Sequence, residues 1–559
     1  MKWVPVRFEK EEENRVKYGV KTTSSINGIK ETLLSPPPTP KEGFSGYTKF
    51  DFDVAVGGAA PSDIRGGIHI GIRPLVESSI DDPSTLPEET SPSLAVLLLL
   101  NDGASLRICE LMKLIELDVS INKLEGHLPT CLNSLTNLRA LELSYNHLIG
   151  NLPSVIANLM MRPEYLSLWK NNFEGLFSFS SLANLLKLEI FHLSTENSTL
   201  QVLETEEFLQ PPNQLKVLYL RKCNLHVIPS FLMYQHSLEF IDLSHNKLVG
   251  MFPTWLLHNN TRLQGMYLTN NSLIGNLQLP NSTHDLLELK ISSNNLNGQL
   301  LKNLSMILPK LFHLDLSENK FEVYIPSSTG EMKRLKILDL SSNNFSGELP
   351  NAFVSGYFSL QSLRLSNNNF HGNIFPEFMN MTQLRLLYLD NNQFSGKIQD
   401  GLSKASFVEF INLSNNRFLG QIPQWIGNFS NLLALFMSNN FLEGGVPIQL
   451  SNIKGLSFLD ISKNILSGSM ASSFNLSSMW NLYMQKNALS ASIPNAVFKS
   501  SYLVALDLSD NNFSRSIPNQ IDDKRTNLRF LLLRGDHLKG HIPHELCDLK
   551  RFKHFGSFT

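Results

Sequence analysis

Leucines recur along this chain with polar residues between them, and the whole pattern returns roughly every two dozen positions. From Leu106 onward the motif Leu-x-x-Leu-x-Leu-x-x-Asn-x-Leu-x-Gly-x-Ile-Pro can be laid down again and again. Aligned on its Asn, the anchors are Asn122, Asn146, Asn171, Glu196, Cys223, Asn246, Asn271, Asn294, Asn319, Asn343, Asn368, Asn392, Asn416, Asn440, Asn464, Asn487, Asn511 and Asp536. The mean interval of about 24 residues is that of a single supersecondary unit too small to bury its own apolar face, which becomes stable only by stacking on its neighbours.

Each position in the motif has a physical task. In Leu338-Asp339-Leu340-Ser341-Ser342-Asn343 the two leucines alternate with polar residues. On a short strand they point into the core while Asp339 and Ser341 point out. The Asn that follows can donate to and accept from backbone groups of a turn otherwise left unpaired, so stacked repeats build a ladder of Asn. Cys223 offers a weaker donor at its rung, and Glu196 and Asp536 can only accept when ionised, which predicts local irregularity there. Gly347-Glu348-Leu349-Pro350 and Gly420-Gln421-Ile422-Pro423 put a permissive residue at a turn and a φ-fixing one after it. Ala491 and Arg515 replace that Gly, so their turns either have φ below zero or carry strain. A segment such as Ile426 to Leu432 supplies a short helical or irregular return. The fold class expected is α/β, a solenoid with one strand per repeat forming a parallel sheet on the concave face.

Residues 1–100 share no period with the rest of the chain. They include the Pro-rich stretch Ser35 to Pro40 and the Gly-rich stretch Gly57 to Gly71, and are expected to be a disordered or mis-joined segment. The solenoid, about 18 repeats, is expected over 101–559, with Cys547-Asp548-Leu549 opening a repeat that is cut short. Met1 to Lys17 lacks the apolar stretch of a secretory leader. The longest apolar run, Leu94 to Leu100, is about a third of the roughly 20 residues a bilayer span requires, so the chain as written is expected to be soluble.

Lys and Arg number 48 against 50 Asp and Glu. That balance excludes a global field for nucleic acid and makes partner choice local. Cys109, Cys131, Cys223 and Cys547 are too few and too scattered for a disulfide scaffold or a metal centre, and leave their pairing open. No phosphate-binding loop, kinase-like catalytic loop, nucleophile elbow or metal-ligand His pair is present, so neither cofactor nor metal is expected and the chain reads as a non-enzyme.

Eighteen strands at about 4.8 Å make an outward strip on the order of 85 Å long, enough for an extended peptide or another domain. Its usual Asp-x-Ser outward pairs, such as Asp315 and Ser317, are a solvated default. Departures from it mark candidate ligand contacts: Trp169, Tyr219, Arg221, Tyr267, Lys290, Arg364, Tyr388 and Tyr483, with Tyr165, His192, Asp390, Phe436 and Gln485 beside them. Tyr, Trp and Arg combine large contact area with a polar handle. The mixed aromatic and basic stretch Tyr219, Arg221, Tyr267 and Lys290 points to an anionic or carboxylate-bearing ligand held by Arg221 or Lys290. Glycosylation sequons stand at Asn197, Asn259, Asn270, Asn281, Asn303, Asn344, Asn380, Asn412, Asn428, Asn475 and Asn512. A glycan on Asn412 would obstruct its repeat, and one on Asn270 would crowd Tyr267.

Cys109-Glu110-Leu111-Met112-Lys113-Leu114-Ile115-Glu116-Leu117-Asp118, with Leu128-Pro129-Thr130-Cys131-Leu132, resembles the opening repeats of plant leucine-rich-repeat receptor-like proteins. So do Phe173 to Asn184 and Leu215 to Leu225, and the resemblance covers about residues 101–550. It implies a plasma-membrane ectodomain, exposed outside the cell, that senses an extracellular peptide or pathogen-derived ligand and signals through a co-receptor kinase. It also implies a signal peptide, capping segments and a membrane helix that are not visible in this sequence. Two alternatives remain: a soluble apoplastic inhibitor of a microbial wall-degrading enzyme, and an intracellular scaffold or non-functional fragment.

Overall fold

The computed structural model describes residues 68–71, 111–157, 159, 163–194, 200–203, 213–474, 477–519, 527–546 and 554–555. The expectation for residues 1–100 therefore lies outside the described residues except for a strand, Ile68–Gly71, paired in parallel with Leu114–Asp118.

From Leu114 onward, successive repeats add one short strand each to a long parallel sheet lining the concave face. Register is kept by the leucines. Leu314 pairs with Leu338, then Leu363, Leu387, Ile411, Leu435 and Leu459. All are buried, at 2% exposure or less. Sliding any strand by one residue would turn its leucine to solvent, at about 1.5 to 3 kcal/mol for each side chain exposed.

The Asn ladder is inter-repeat. Asn368 Nδ2 donates to Leu340 O of the preceding repeat at 2.9 Å and to its own Leu365 O and Ser366 O at 3.1 and 3.2 Å. Its Oδ1 accepts from Phe345 N, again in the preceding repeat, at 3.0 Å. Of the irregular rungs, Cys223 reaches Leu193 O at 3.5 Å through sulfur. Asp536 accepts from Phe513 N at 3.1 Å, and burial pushes its carboxyl up to about 6. Glu196 lies outside the described residues.

Two features go beyond the sequence reading. A second strand follows the ladder Asn in most described repeats, as at Asn344–Glu348, which pairs with Asn369–Gly372. One strand per repeat was an undercount, because the Asn-Phe-x-Gly stretch stacks on its copies with the Gly at positive φ, +83° at Gly347. The residue just before each ladder anchor is also left-handed, with φ of 52° to 59° at every described non-glycine position from Ile121 to Asp510. Asn is favoured there because its short polar side chain tolerates that region. At the Gly position, Ala491 and Arg515 have φ of +68° and +67°, so the strained alternative is the one realised, and Val323 at +71° joins them.

Beneath the second strands runs a column of stacked rings: Phe321, Phe345, Phe370, Phe394 and Phe418, at centroid spacings of 5.9 to 6.5 Å. All five are fully buried. Return segments are single turns, such as the 3-10 turn Gln424–Asn428 and the α-turn Asn351–Gly356. Cys131 is disulfide-bonded, and Cys223 is a buried thiol.

Candidate ligand-binding face

The central outward row of the long sheet places Tyr219, Asp242, Tyr267, Lys290, Asp315, Asp339, Arg364, Tyr388, Asn412, Phe436, Asp460, Tyr483 and Asp507 on consecutive strands. Trp169 and Arg221 lie two residues further along the chain, just past the strands Tyr165–Ser167 and Val217–Leu220.

The Asp-x-Ser pairs are structural, which corrects their reading as merely solvated. Asp315 Oδ1 accepts from Ser317 N and Oγ at 3.0 and 2.7 Å, and Asp339 Oδ1 from Ser341 N and Oγ at 3.0 and 2.6 Å. Each carboxylate closes the turn that leads to its ladder Asn. Burial raises the carboxyls of Asp460 and Asp507, and with the help of neighbouring Asp315 pushes that of Asp339 up to about 6.

Trp169 is only 6% exposed and packs at 5.6 Å from Tyr145, so the structure buries a residue expected to be displayed. Tyr219 stacks at 4.6 Å on His192, whose other side meets the Tyr165 ring edge at 5.5 Å. Burial drives the His192 imidazole down to about 3, so it is neutral. Arg221 Nη2 donates to His245 Nε2 at 2.9 Å, and the Asn270 carboxamide lies 3.0 Å from Nδ1 of the same ring.

Lys290 sits over the Tyr267 ring at 4.9 Å and pairs with Glu288 at 3.1 Å. That pairing changes the sequence picture: the positive charge assigned to a ligand is already matched within the face. Arg364 lies over Tyr388 at 5.1 Å, with its nearest carboxylate, Asp339, at 3.6 Å. Tyr388 stacks on Phe410 at 4.5 Å, and Phe410 leads on to Phe436 at 5.5 Å. Tyr483 is apart from these, its phenol pushed up to about 12 by burial and by Asp460 and Asp507. Glu288, His313 and Phe410 share the face and were missed, although each stands at an outward alternate of its strand. Their signal was position rather than residue type.

Among the sequons, Asn270, Asn281, Asn303, Asn344, Asn380, Asn428 and Asn512 are exposed and Asn259 is half-buried. Asn412 is corrected: it is 6% exposed, and its Oδ1 accepts from Ser414 N at 3.1 Å, so its side chain is committed to the sheet. Asn197 and Asn475 lie outside the described residues. No described group of three or more His, Cys, Asp or Glu is arranged to hold a metal. No described helix is long and apolar enough to cross a membrane.

The profile of the Leucine Rich Repeat family matches residues 137–159, 237–259, 334–355, 359–381, 383–405, 407–429 and 502–523. Receptor-like protein 13 of Arabidopsis thaliana is 45% identical over 276 residues, 49% of this chain and 26% of that protein. Receptor-like protein 1 of the same plant is 47% identical over 229 residues, 41% of this chain and 21% of its own length. The solved ectodomain of the Arabidopsis receptor kinase HAESA, in complex with the peptide hormone IDA and the co-receptor SERK1, is 30% identical with a TM-score of 0.55. That similarity covers 78% of this chain and 84% of the solved one. The chain belongs to the plant leucine-rich-repeat receptor-like family. Another solved relative of this receptor-like chain is the plant peptide hormone receptor RGFR1 in complex with RGF2, 26% identical with a TM-score of 0.61 over 79% of this chain and 78% of that one. The receptor-like chain spans about a quarter of the length of the curated relatives it matches.

Proposed function

We propose that this chain is the recognition part of a cell-surface receptor-like protein, a non-enzymatic module whose concave sheet binds an extended extracellular peptide or a segment of a protein ligand. Signalling then passes through a partner kinase at the plasma membrane. The observation that carries this reading is the row Tyr219, Tyr267, Lys290, Arg364 and Tyr388, placed by register on one outward line of an unbroken parallel sheet. Such a line offers ring faces and charges at strand spacing to a ligand lying across the strands. Support for the kind of partner comes from relatives solved with peptide hormones and, in one case, a co-receptor. The Cys131 disulfide favours an oxidising compartment over the intracellular scaffold.

The test is photo-crosslinking in apoplastic fluid, with a benzophenone amino acid replacing either Tyr267 on the sheet or Phe441, which is 57% exposed and belongs to the second sheet. Peptide adducts at Tyr267 and none at Phe441 are expected. They should be lost when Tyr219, Arg221 and Lys290 are all changed to Ala without loss of the melting transition. Equal yields at both positions, or adducts indifferent to the triple change, would remove the assignment.

A further inference from the structure

The long sheet has an end, where the first repeat strand, Leu114–Asp118, turns one edge away from the repeats that follow. A segment from far upstream covers that edge. Ile68–Gly71 lies along it in parallel, with His69 opposite Glu116, Ile70 opposite Leu117 and Gly71 opposite Asp118. A bare edge is a row of N–H and C=O groups ready to pair with any extended chain offered to it. The sequence Ile68-His69-Ile70-Gly71-Ile72 suits the place, because β-branched residues at alternate positions favour an extended backbone.

This strand is held differently from those that follow. The next pair keeps an even register, Glu116, Leu117 and Asp118 standing opposite Ala140, Leu141 and Glu142. At Ile68–Gly71 the register shifts instead, since Ile68 faces Leu114 while His69 faces Glu116. Such a shift interrupts the ladder and limits how far pairing can run. Four irregularly paired residues outside the repeat pattern hold less firmly than a coil stacked on its neighbours. The edge is also selective. It carries Glu116 and Asp118 on a strand whose Leu114 and Leu117 are buried. The register sets a histidine beside Glu116, where an acidic residue would meet like charge.

We propose that the outer edge of Leu114–Asp118 is a strand-accepting site, and that Ile68–Gly71 is its tethered occupant, replaceable by an extended protein segment of the same pattern. That pattern is β-branched residues at alternate positions, with a neutral or basic residue between them, added in parallel. Recognition of this kind works through main-chain pairing at the end of the solenoid, separately from side-chain contacts on the concave row. Being part of the same chain, the occupant competes at an effective concentration on the order of 1 mM. A partner strand therefore adds only when it brings further contacts of its own or when Ile68–Gly71 is drawn away.

The probe is a fluorescein-labelled synthetic peptide with the sequence of Gly66 to Ile72. It is titrated into the full chain and into a full-length variant carrying His69→Pro and Ile70→Pro, which removes both backbone donors. The variant should bind the peptide at least about tenfold more tightly than the unaltered chain, whose site is already filled. Glutamate at the histidine position of the peptide should weaken binding about threefold, and proline at both central positions should abolish it. In the unaltered chain, hydrogen exchange at the amides of Ile68–Gly71 should be at least about tenfold slower than in the free peptide. Excess peptide should erase that protection while the later repeats keep theirs. Equal binding to both chains, no binding to the variant, or a glutamate peptide that binds as tightly as the original overturns the proposal. So does exchange at Ile68–Gly71 as fast as in the free peptide, or protection there that excess peptide leaves unmoved. If the double proline variant does not fold, the exchange measurement on the unaltered chain, with and without peptide, carries the decision.

Discussion

Between Asn294 and Asn464 every rung of the ladder is Asn and a column of phenylalanines stacks below, whereas between Trp169 and Asn246 the ladder passes through Cys223 and rings are buried on both sides of the sheet, Phe177, Phe179, Phe191 and Phe231 in the core and His192 on the outward side. In the regular stretch the outward Arg364 stays exposed. In the irregular stretch the outward side chains are themselves recruited into packing: His192 is fully buried against Tyr219, and Trp169 against Tyr145. An aromatic residue on such a face therefore signals recognition only where it stays exposed.

The largest way to break this contrast is to empty the column. Phe370→Ala should cost about 3 to 5 kcal/mol, read as a lower denaturation midpoint, since close neighbours on both sides cannot collapse into the space. Next is the ladder itself. Asn368→Ala leaves Phe345 N without its partner and Leu340 O with only Asn343 Nδ2 as a side-chain donor, and should cost about 1 to 3 kcal/mol. Cys223→Asn should instead stabilise by about 1 kcal/mol, because an amide would replace a weak sulfur donor at a rung already flanked by acceptors. A loss of stability in Cys223→Asn would mean that the irregular rung is a required shape and not a relaxed one.

Backbone strain gives a smaller effect. Val323→Gly should raise stability by about 0.5 to 1 kcal/mol, as relief at φ +71° outweighs the added freedom of the unfolded glycine. The same change in reverse at Gly347 should destabilise. Smallest is the response to pH. Asp339 is raised in the folded state above its unfolded value, so its contribution is favourable at low pH and is lost as pH rises through about 6. Asp339→Asn should therefore raise the melting temperature at pH 8 and change it little at pH 4. A benefit confined to acid would reverse the assignment.

Much of the fold was legible in the sequence because its determinants are local and periodic. Leu338 and Leu340 announce a strand, Asn343 its turn and Gly347 a left-handed position, each within a few residues. The second strands were not legible, since Asn344–Glu348 is a strand only by virtue of copies about one repeat away that share its register. The candidate face was legible as a row of positions and poorly as chemistry. Nothing in the spacing says that Lys290 turns back to Glu288 two residues earlier, that Trp169 folds down onto Tyr145, or that Asn412 uses its carboxamide on Ser414. Those outcomes depend on rotamers and on the neighbours supplied by adjacent repeats.

The ladder also has a direction. Asn368 completes hydrogen bonds belonging to Leu340 and Phe345, 28 and 23 residues earlier in the chain. Each coil is thus finished by the one made after it, and a coil emerging from the ribosome holds an open amide until roughly one further repeat has been synthesised. At about 5 to 20 residues per second that is a wait of one to several seconds. Growth by this route proceeds from the N-terminal side with a trailing unfinished turn, and a translational pause would be least harmful just after a ladder asparagine has been delivered.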